Sequence, residues 1–366
     1  MKDEIESLYH YTSIGGFKGI IDSSCLHATN IKYLNDSKEY IFGLDYFSNL
    51  FLDAELYRQY AVLNKNSLYD HLVDLLFSEV LSVFKYLREA SNYFVISFSR
   101  EPDVLSQWRA YGEGNVGYCI KFNYHDLFYP SDLGLGLVVK VDYVDPGDLG
   151  FARKKLEDIK AEWKSEFFKK MPWLREGNVK EYNKMLRRYF ELEDLAGNTR
   201  SCSIGDKEIV YPDKVDEVDG NPQWYQEINK FVFFVVEPAL SEIAYSWKHY
   251  SFSEESEYRY VFYRDLKSQE ALCRKDNTFQ EIPGKMDMKN FPALALRDLK
   301  FKEGKTFLVP YVEIPYDFKN KNIIDEVIVG PCPHPIEAAS SVQQFLDMKL
   351  DNVVKVVDSK VPYRYW

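Results

Sequence analysis

Alternation and three-to-four spacing divide the chain into short extended pieces and amphipathic ones. "SLYHYTS" (7–13) alternates and predicts a strand, "GGFKGIIDS" behind it a brief helix, and "CLHATN" a second extended piece. Asp36 and Glu39 have the spacing of a capping box, and the apolar period that follows predicts a helix to about residue 63. A second amphipathic helix is predicted over 67–87. "NYFVISFSR" (92–100) alternates cleanly, with Phe94, Ile96 and Phe98 on one face and Val95, Ser97 and Ser99 on the other. "DVLSQWRAYG" predicts a helical turn stopped by Gly112 and "GYCIKFN" (117–123) a strand. "GLVVKVDYVD" (136–145) predicts a buried strand that runs into a Pro-Gly turn.

Over 150–247 the pattern changes. "ARKKLEDIKAEWKSEFFKKM" and "VKEYNKMLRRYFELEDL" predict charged amphipathic helices, and a more apolar helix follows with Pro238 at a kink or break. This segment reads as a helical insertion. Strands resume at 257–264 and 306–314, and "IIDEVIVGP" (323–331) and "VVKVVDS" (353–359) enclose a helix as a strand–helix–strand unit. The expected architecture is α+β, with residues 1–149 and 248–366 as the two halves of a core and 150–247 inserted between them.

Composition narrows the function classes. The 366 residues are 46% hydrophobic and 28% charged, which is globular, and 28 Tyr and 25 Phe supply much of the core. A formal net charge of −11 argues against a general binder of phosphate backbones. The five cysteines form no CxxC pair, so no zinc knuckle or redox motif is expected and the thiols read as reduced. The N-terminus has no apolar signal segment, and the greasiest run, "FVFFVVEPAL" (231–240), is too short to span a bilayer. A cytoplasmic protein without a membrane partner is expected. No HExxH, GxSxG or phosphate loop ending in Lys-Ser/Thr occurs, so no metal site is expected, and "GEGNVG" (112–117) precedes a strand where a dinucleotide fingerprint needs a helix.

Two stretches carry candidate chemistry. In "FSEESEYRYVFY" (252–263), strand spacing sets Glu255, Glu257, Arg259 and Val261 on one face and Tyr258, Tyr260 and Phe262 on the core face. The charged face is either a solvated surface with a weak ion pair or a carboxylate oriented by arginine toward a cleft. In "LYHYTS", His10 and Thr12 share a face; a strand histidine satisfied by a backbone carbonyl is the commoner case, and a ligand contact the alternative. Ser97 and Ser99 cost little on a half-buried strand. Trp108 and Tyr111 read as a core pair or as a stacking wall.

These residues also carry a resemblance. "LYHYTS", "GIIDSSCLHATNIKYLNDSKEY", "ISFSREPDVLSQWRAYGEGNVGYCIKF", "KHYSFSEESEYRYVF" and "IIDEVIVGP…VVDSKVPYR" resemble a bacterial family catalogued as domain of unknown function 2971, least so over 150–247. That family in turn resembles the ADP-ribosyltransferase fold, which binds NAD in a cleft of a split sheet of mixed and antiparallel strands. The resemblance implies an NAD-consuming ADP-ribosyltransferase or NAD glycohydrolase, by analogy a toxin-like effector in antiphage defence. NAD would be the substrate, and an unidentified protein or nucleic acid the acceptor. It implies Glu257, His10 and Ser97 as catalytic residues, and His10, Thr12, Ser99, Trp108, Tyr111 and Arg259 as binding residues. In that scheme Glu257 holds the ribose 2′-hydroxyl and stabilises oxocarbenium-like charge, His10 donates to the adenosine ribose, and Ser97 buttresses Glu257. His10 matches one class of that fold and Ser97-Phe98-Ser99 another. The alternative is a non-catalytic nucleotide-sensing or protein-binding module of the same fold.

Overall fold

Ten strands join in one sheet: β1 (Ser7–Ser13), β2 (Cys25–Asn30), β3 (Tyr93–Ser99), β4 (Gly117–Asn123), β5 (Leu137–Lys140), β6 (Glu257–Tyr263), β7 (Lys300–Glu303), β8 (Leu308–Pro315), β9 (Ile324–Val329) and β10 (Lys355–Asp358). The structure is a computed structural model that describes residues 5–34, 39–52, 83–88, 93–112, 116–128, 137–170, 199–204, 207–212, 231–263, 298–304 and 306–363. The strands run in the order β7-β8-β2-β3-β1-β4-β9-β10, with β6 on the other side of β3 and β5 beyond it. All pairs are antiparallel except β9 with β10, which helix α3 (Pro335–Lys349) connects as the expected strand–helix–strand unit. The fold is therefore α+β with a mixed, mainly antiparallel sheet.

The register at β3 decides where a site can form. One edge of β3 is taken along its whole length by β6, from Glu257↔Ser99 to Tyr263↔Tyr93. The other edge is shared. There β2 pairs through Thr29↔Val95 and Asn30↔Phe94, whereas β1 pairs through Tyr9↔Ser99. Residues 96–98 lie outside both of those registers, so β1 and β2 diverge and the sheet splits between them.

Apolar clusters lie on both faces of the sheet. Phe98, Ile96, Tyr260 and Phe262 pack with Leu8, Ile120 and Phe122 in the larger core, together with helix α1 (Ile14–Ser23) and α3. The opposite face, across β1, β4 and β9, holds a smaller cluster of Tyr11, Trp108, Cys119 and Ile328 beneath helix α2 (Leu105–Tyr111). Ser13 caps α1 by accepting the Gly16 N–H at 3.2 Å, and Ser24 at φ 49° turns the chain into β2.

Several expectations change. The single strand expected over 136–145 is two, Leu137–Lys140 and Asp142–Val144; the first pairs with β6, and the Val141 N–H extends that register by donating to the Glu257 carbonyl at 3.0 Å. Strand β8 has a hairpin partner, β7, that the reading of 306–314 did not include. The irregularity expected at Pro238 is a π-helical turn: Val232–Val236 is wound as a π-helix and runs directly into the α-helix Glu237–Ser246. The Glu237 N–H donates to the Val232 carbonyl, and Pro238, which has no N–H, falls in the first turn after the change of winding. Asp36 and most of the helix expected over 67–87 lie outside the described residues.

The chain forms two compact units. One comprises residues 1–37, 92–143 and 250–366, and the other 38–91 and 144–249. Set beside the expected insertion of 150–247, the second unit also takes in 38–91. It contains helices Glu39–Leu52 and Leu149–Lys170 and a hairpin, Thr199–Ile204 with Lys207–Pro212, within the stretch read as helical. Gly43 lets its helix close on Glu237–Ser246: a Cβ there would meet the Ile243 carbonyl oxygen at 2.6 Å. No helix among the described residues is long and apolar enough to cross a membrane.

Candidate functional site

His10 stands at the split. Its Nδ1 lies 2.9 Å from the carbonyl oxygen of Ser97, in the middle of the β3 edge that β1 and β2 share, and its ring lies 5.7 Å from that of Phe98. A carbonyl accepts only, so Nδ1 carries the hydrogen and the neutral ring presents Nε2 as an acceptor. Burial pushes the His10 pKa below its usual value; the bond to Ser97 opposes the shift, and the charges of Lys302 and His27 add to it. The role inferred for His10, donation to a ribose, changes accordingly. Its one N–H is spent on Ser97, and a ligand hydroxyl would have to donate to Nε2.

The structure does not bring His10 and Glu257 together. Glu257 and Arg259 stand opposite Ser99 and Ser97, and so share their face of the sheet. The His10 ring lies with Phe98 on the other face. On their own face Arg259 and Glu257 form a bidentate pair, Nε to Oε1 at 2.9 Å and Nη2 to Oε2 at 3.0 Å. Arg259 is 0% exposed and Glu257 5%, so this is no solvated surface. Loss of solvent lowers the guanidinium pKa to about 9, and the group stays charged at neutral pH. The Glu257 N–H donates to the Tyr143 hydroxyl at 2.8 Å. Glu255 does not continue this row, because it belongs to a 3-10 turn (Tyr250–Glu255) and Ser256 at φ 44° separates it from β6.

The remaining expected residues hold the framework. The Ser99 hydroxyl is within reach of the Glu255 carbonyl at 2.8 Å and accepts the Glu101 N–H at 3.1 Å, which ties β3 to the turn before β6. Trp108 is buried, edge-on to Tyr11 at 4.9 Å, and its Nε1 donates to Asp103 at 2.8 Å. The indole lies over two glycines: a Cβ at Gly330 would come within 2.9 Å of it, and one at Gly117 would meet it at a tight 3.2 Å. Tyr111 packs at the rim of the same cluster, and Thr12 pairs in register with Tyr118 beside α1. Asp103 also accepts from the Ser359 hydroxyl and, at 2.7 Å, from the Lys360 N–H, so the loop after β3 clasps the C-terminal segment.

A group that the sequence reading missed lies next to the split, on the face of β2, β8 and β7. Register sets Thr29 opposite Tyr311, His27 opposite Glu313 and Lys300 opposite Tyr311. The His27 and Tyr311 rings stack at 4.2 Å, Lys302 Nζ lies 3.2 Å from Thr29 Oγ1 and 5.9 Å from the Tyr311 ring centre, and Lys300 pairs with Glu313 at 2.6 Å. The Lys302 side chain is exposed on strand β7, and partial loss of solvent around its ammonium lowers its pKa. Burial also lowers His27, as does Lys302, while Glu313 opposes the shift. The signal was the alternation of "CLHATN" and "KFK", which becomes informative once the two segments are known to share a sheet. Among the described residues no three His, Cys, Asp or Glu side chains are grouped to hold a metal ion.

No curated protein and no solved structure matches the chain. A family model matches a stretch that covers Trp108, Glu257 and Arg259 but not His10, and that runs through 150–247, where the resemblance had been weakest. The family is one defined without a function: residues 107–260 are similar to the family described as "Protein of unknown function (DUF2971)".

Proposed function

We propose that the chain is a nucleotide-binding module whose ligand enters the split between β1 and β2 and meets His10. The observation that carries this reading is the Nδ1 bond to the Ser97 carbonyl, which fixes a neutral imidazole in a gap of the sheet with Nε2 as acceptor. A ribose hydroxyl is a donor of the right kind. The carboxylate expected to do chemistry is instead engaged by Arg259 on the other face, which favours sensing over turnover.

The second reading is NAD-consuming ADP-ribosyl transfer or NAD glycohydrolysis, with a protein or nucleic acid as acceptor in the first case. One observation favours it: Glu257, Ser97 and His10 occupy three successive strands, β6, β3 and β1, of a split sheet. A toxin or antiphage role has only the resemblance behind it.

One experiment separates the two. Purified protein is incubated with NAD, and nicotinamide release and the NAD-induced change in melting temperature are measured for wild type, His10→Ala and Glu257→Gln. A rise in melting temperature without release, lost in His10→Ala, supports the binding module. Release that a folded Glu257→Gln variant abolishes supports the enzyme. Neither a rise nor release refutes both.

A further inference from the structure

We infer that the outer edge of β7 is a docking edge for a partner protein, which adds to the sheet as an antiparallel strand with acidic side chains on one face and apolar ones on the other. The inference is independent of the split and of the nucleotide reading.

The backbone comes first. β7 ends the sheet, with β8 on its inner side through Lys300↔Tyr311, Phe301↔Pro310, Lys302↔Val309 and Glu303↔Leu308. The Gly304 N–H donates to the Phe307 carbonyl at 3.0 Å across the same hairpin. Peptide groups alternate along a strand, so those of Lys300 and Lys302 face β8 and those of Phe301 and Glu303 turn outward. Pro310, opposite Phe301, agrees with this phase, since it has no N–H to give β7. Among the described residues neither Phe301 nor Glu303 has a hydrogen-bond partner on its outer side. Beside this edge lies an apolar patch. Phe301 is 55% and Leu308 62% exposed on one face of the hairpin, and the exposed Phe307 ring meets that of Tyr33 edge-on at 5.5 Å. Further along β8 on that face Val312 is already in the larger core, so Phe301 and Leu308 are the uncovered end of the core face. The opposite face is basic. Lys300 pairs with Glu313 at 2.6 Å, while Lys302 meets only the Thr29 hydroxyl and the Tyr311 ring. These charges decide between occupants. A second copy pairing with β7 about a two-fold axis centred on any of its four residues sets Lys300 against Lys302 or a charged residue against its own copy, which is unfavourable. An acidic side chain opposite Lys302 and an apolar one opposite Phe301 suit both faces at once, and an alternating, extended segment of a partner protein carries both.

The test is titration of a labelled synthetic peptide of alternating glutamate and valine with wild type, Phe301→Ser and Lys302→Glu, read by fluorescence anisotropy. Circular dichroism confirms the fold of each variant, and sedimentation velocity reads the oligomeric state. Wild type should bind the peptide, and each variant should bind it about tenfold less tightly. A peptide with lysine in place of glutamate should bind no better to wild type than the first peptide binds to Lys302→Glu. Antiparallel pairing turns the amides of the peptide's valines toward Phe301 and Glu303. N-methylation at the valines should therefore abolish binding, and N-methylation at the glutamates should spare it. Edge pairing is overturned if wild type does not bind the peptide, or if methylation at the valines has no more effect than methylation at the glutamates. Equal binding of the lysine peptide overturns the acidic partner. Dimerisation of wild type that Phe301→Ser breaks puts a second copy on this edge and overturns the proposal in its favour.

Discussion

Replacing Glu257 with Gln should cost the protein stability before it costs any activity. The Arg259 guanidinium is wholly buried and meets Glu257 through two bonds of 2.9 and 3.0 Å, and Glu257 is itself 5% exposed. Taking the charge from one partner of a buried pair leaves the other uncompensated in a medium that solvates it poorly, a loss of about 3–5 kcal/mol. At about 2–4 °C per kcal/mol for a unit of this size, the melting temperature should fall by roughly 6–20 °C. The assay is thermal and urea unfolding of Glu257→Gln, Arg259→Met and the double variant. The double variant removes both charges and should regain at least half of what either single change loses, which a double-mutant cycle reads as coupling. A loss under about 1 kcal/mol in both single variants is what an exposed pair would give, and would refute the buried-pair argument. A carboxylate held in an open cleft for catalysis predicts the opposite, since removing such groups tends to leave stability unchanged or to raise it.

Three further outcomes follow from the same framework. His10 has a folded pKa below its unfolded one, so its contribution to stability is complete above about pH 6.5 and is lost as pH falls from there toward the folded value; His10→Gln should flatten that slope in urea melts at successive pH values, leaving the part due to His27. Gly330→Ala would set a Cβ 2.8 Å from the Gly117 carbonyl oxygen and 2.9 Å from Trp108 Cε3, and should destabilise by about 1–3 kcal/mol in thermal melts. Asp103→Ala removes the acceptor for Trp108, Ser359 and Lys360, so trypsin should cut faster after Lys360 while the rest of the chain keeps its protection.

Local alternation was enough to find β1, β3, β4 and β6 and to sort the side chains on β3, because a strand with two different faces shows both in its sequence. What alternation cannot show is which face of one strand continues which face of the next. His10 and Glu257 were expected to share a cleft, and the single bridge Tyr9↔Ser99 sets their side chains on opposite faces. The charged row on β6 read as solvated or catalytic because buried ion pairs are uncommon; the two partners stand two residues apart and bond to each other through two N–H groups, which offsets part of the cost of that burial. The Lys302 group needs β2, β8 and β7 side by side, and the pairing of residue 29 with 311 has no local signature.

Ser97 connects the two faces, and that limits what a loss of activity can prove. Its side chain shares a face with Arg259, while its carbonyl, on the edge away from β6, holds His10. A change at Glu257 or Arg259 that shifts β3 by a few tenths of an ångström therefore reaches His10 without either residue touching a ligand. Glu257 would then be a positioning residue, and its removal would weaken nucleotide binding and any turnover together. A catalytic carboxylate would leave binding intact and remove turnover alone. The contrast is measurable with Arg259→Lys, which keeps the charge but not the planar fork. If the pair acts through β3, Arg259→Lys should weaken nucleotide affinity by an amount that tracks its loss of stability. If Glu257 acts on the ligand directly, affinity should not follow stability at all.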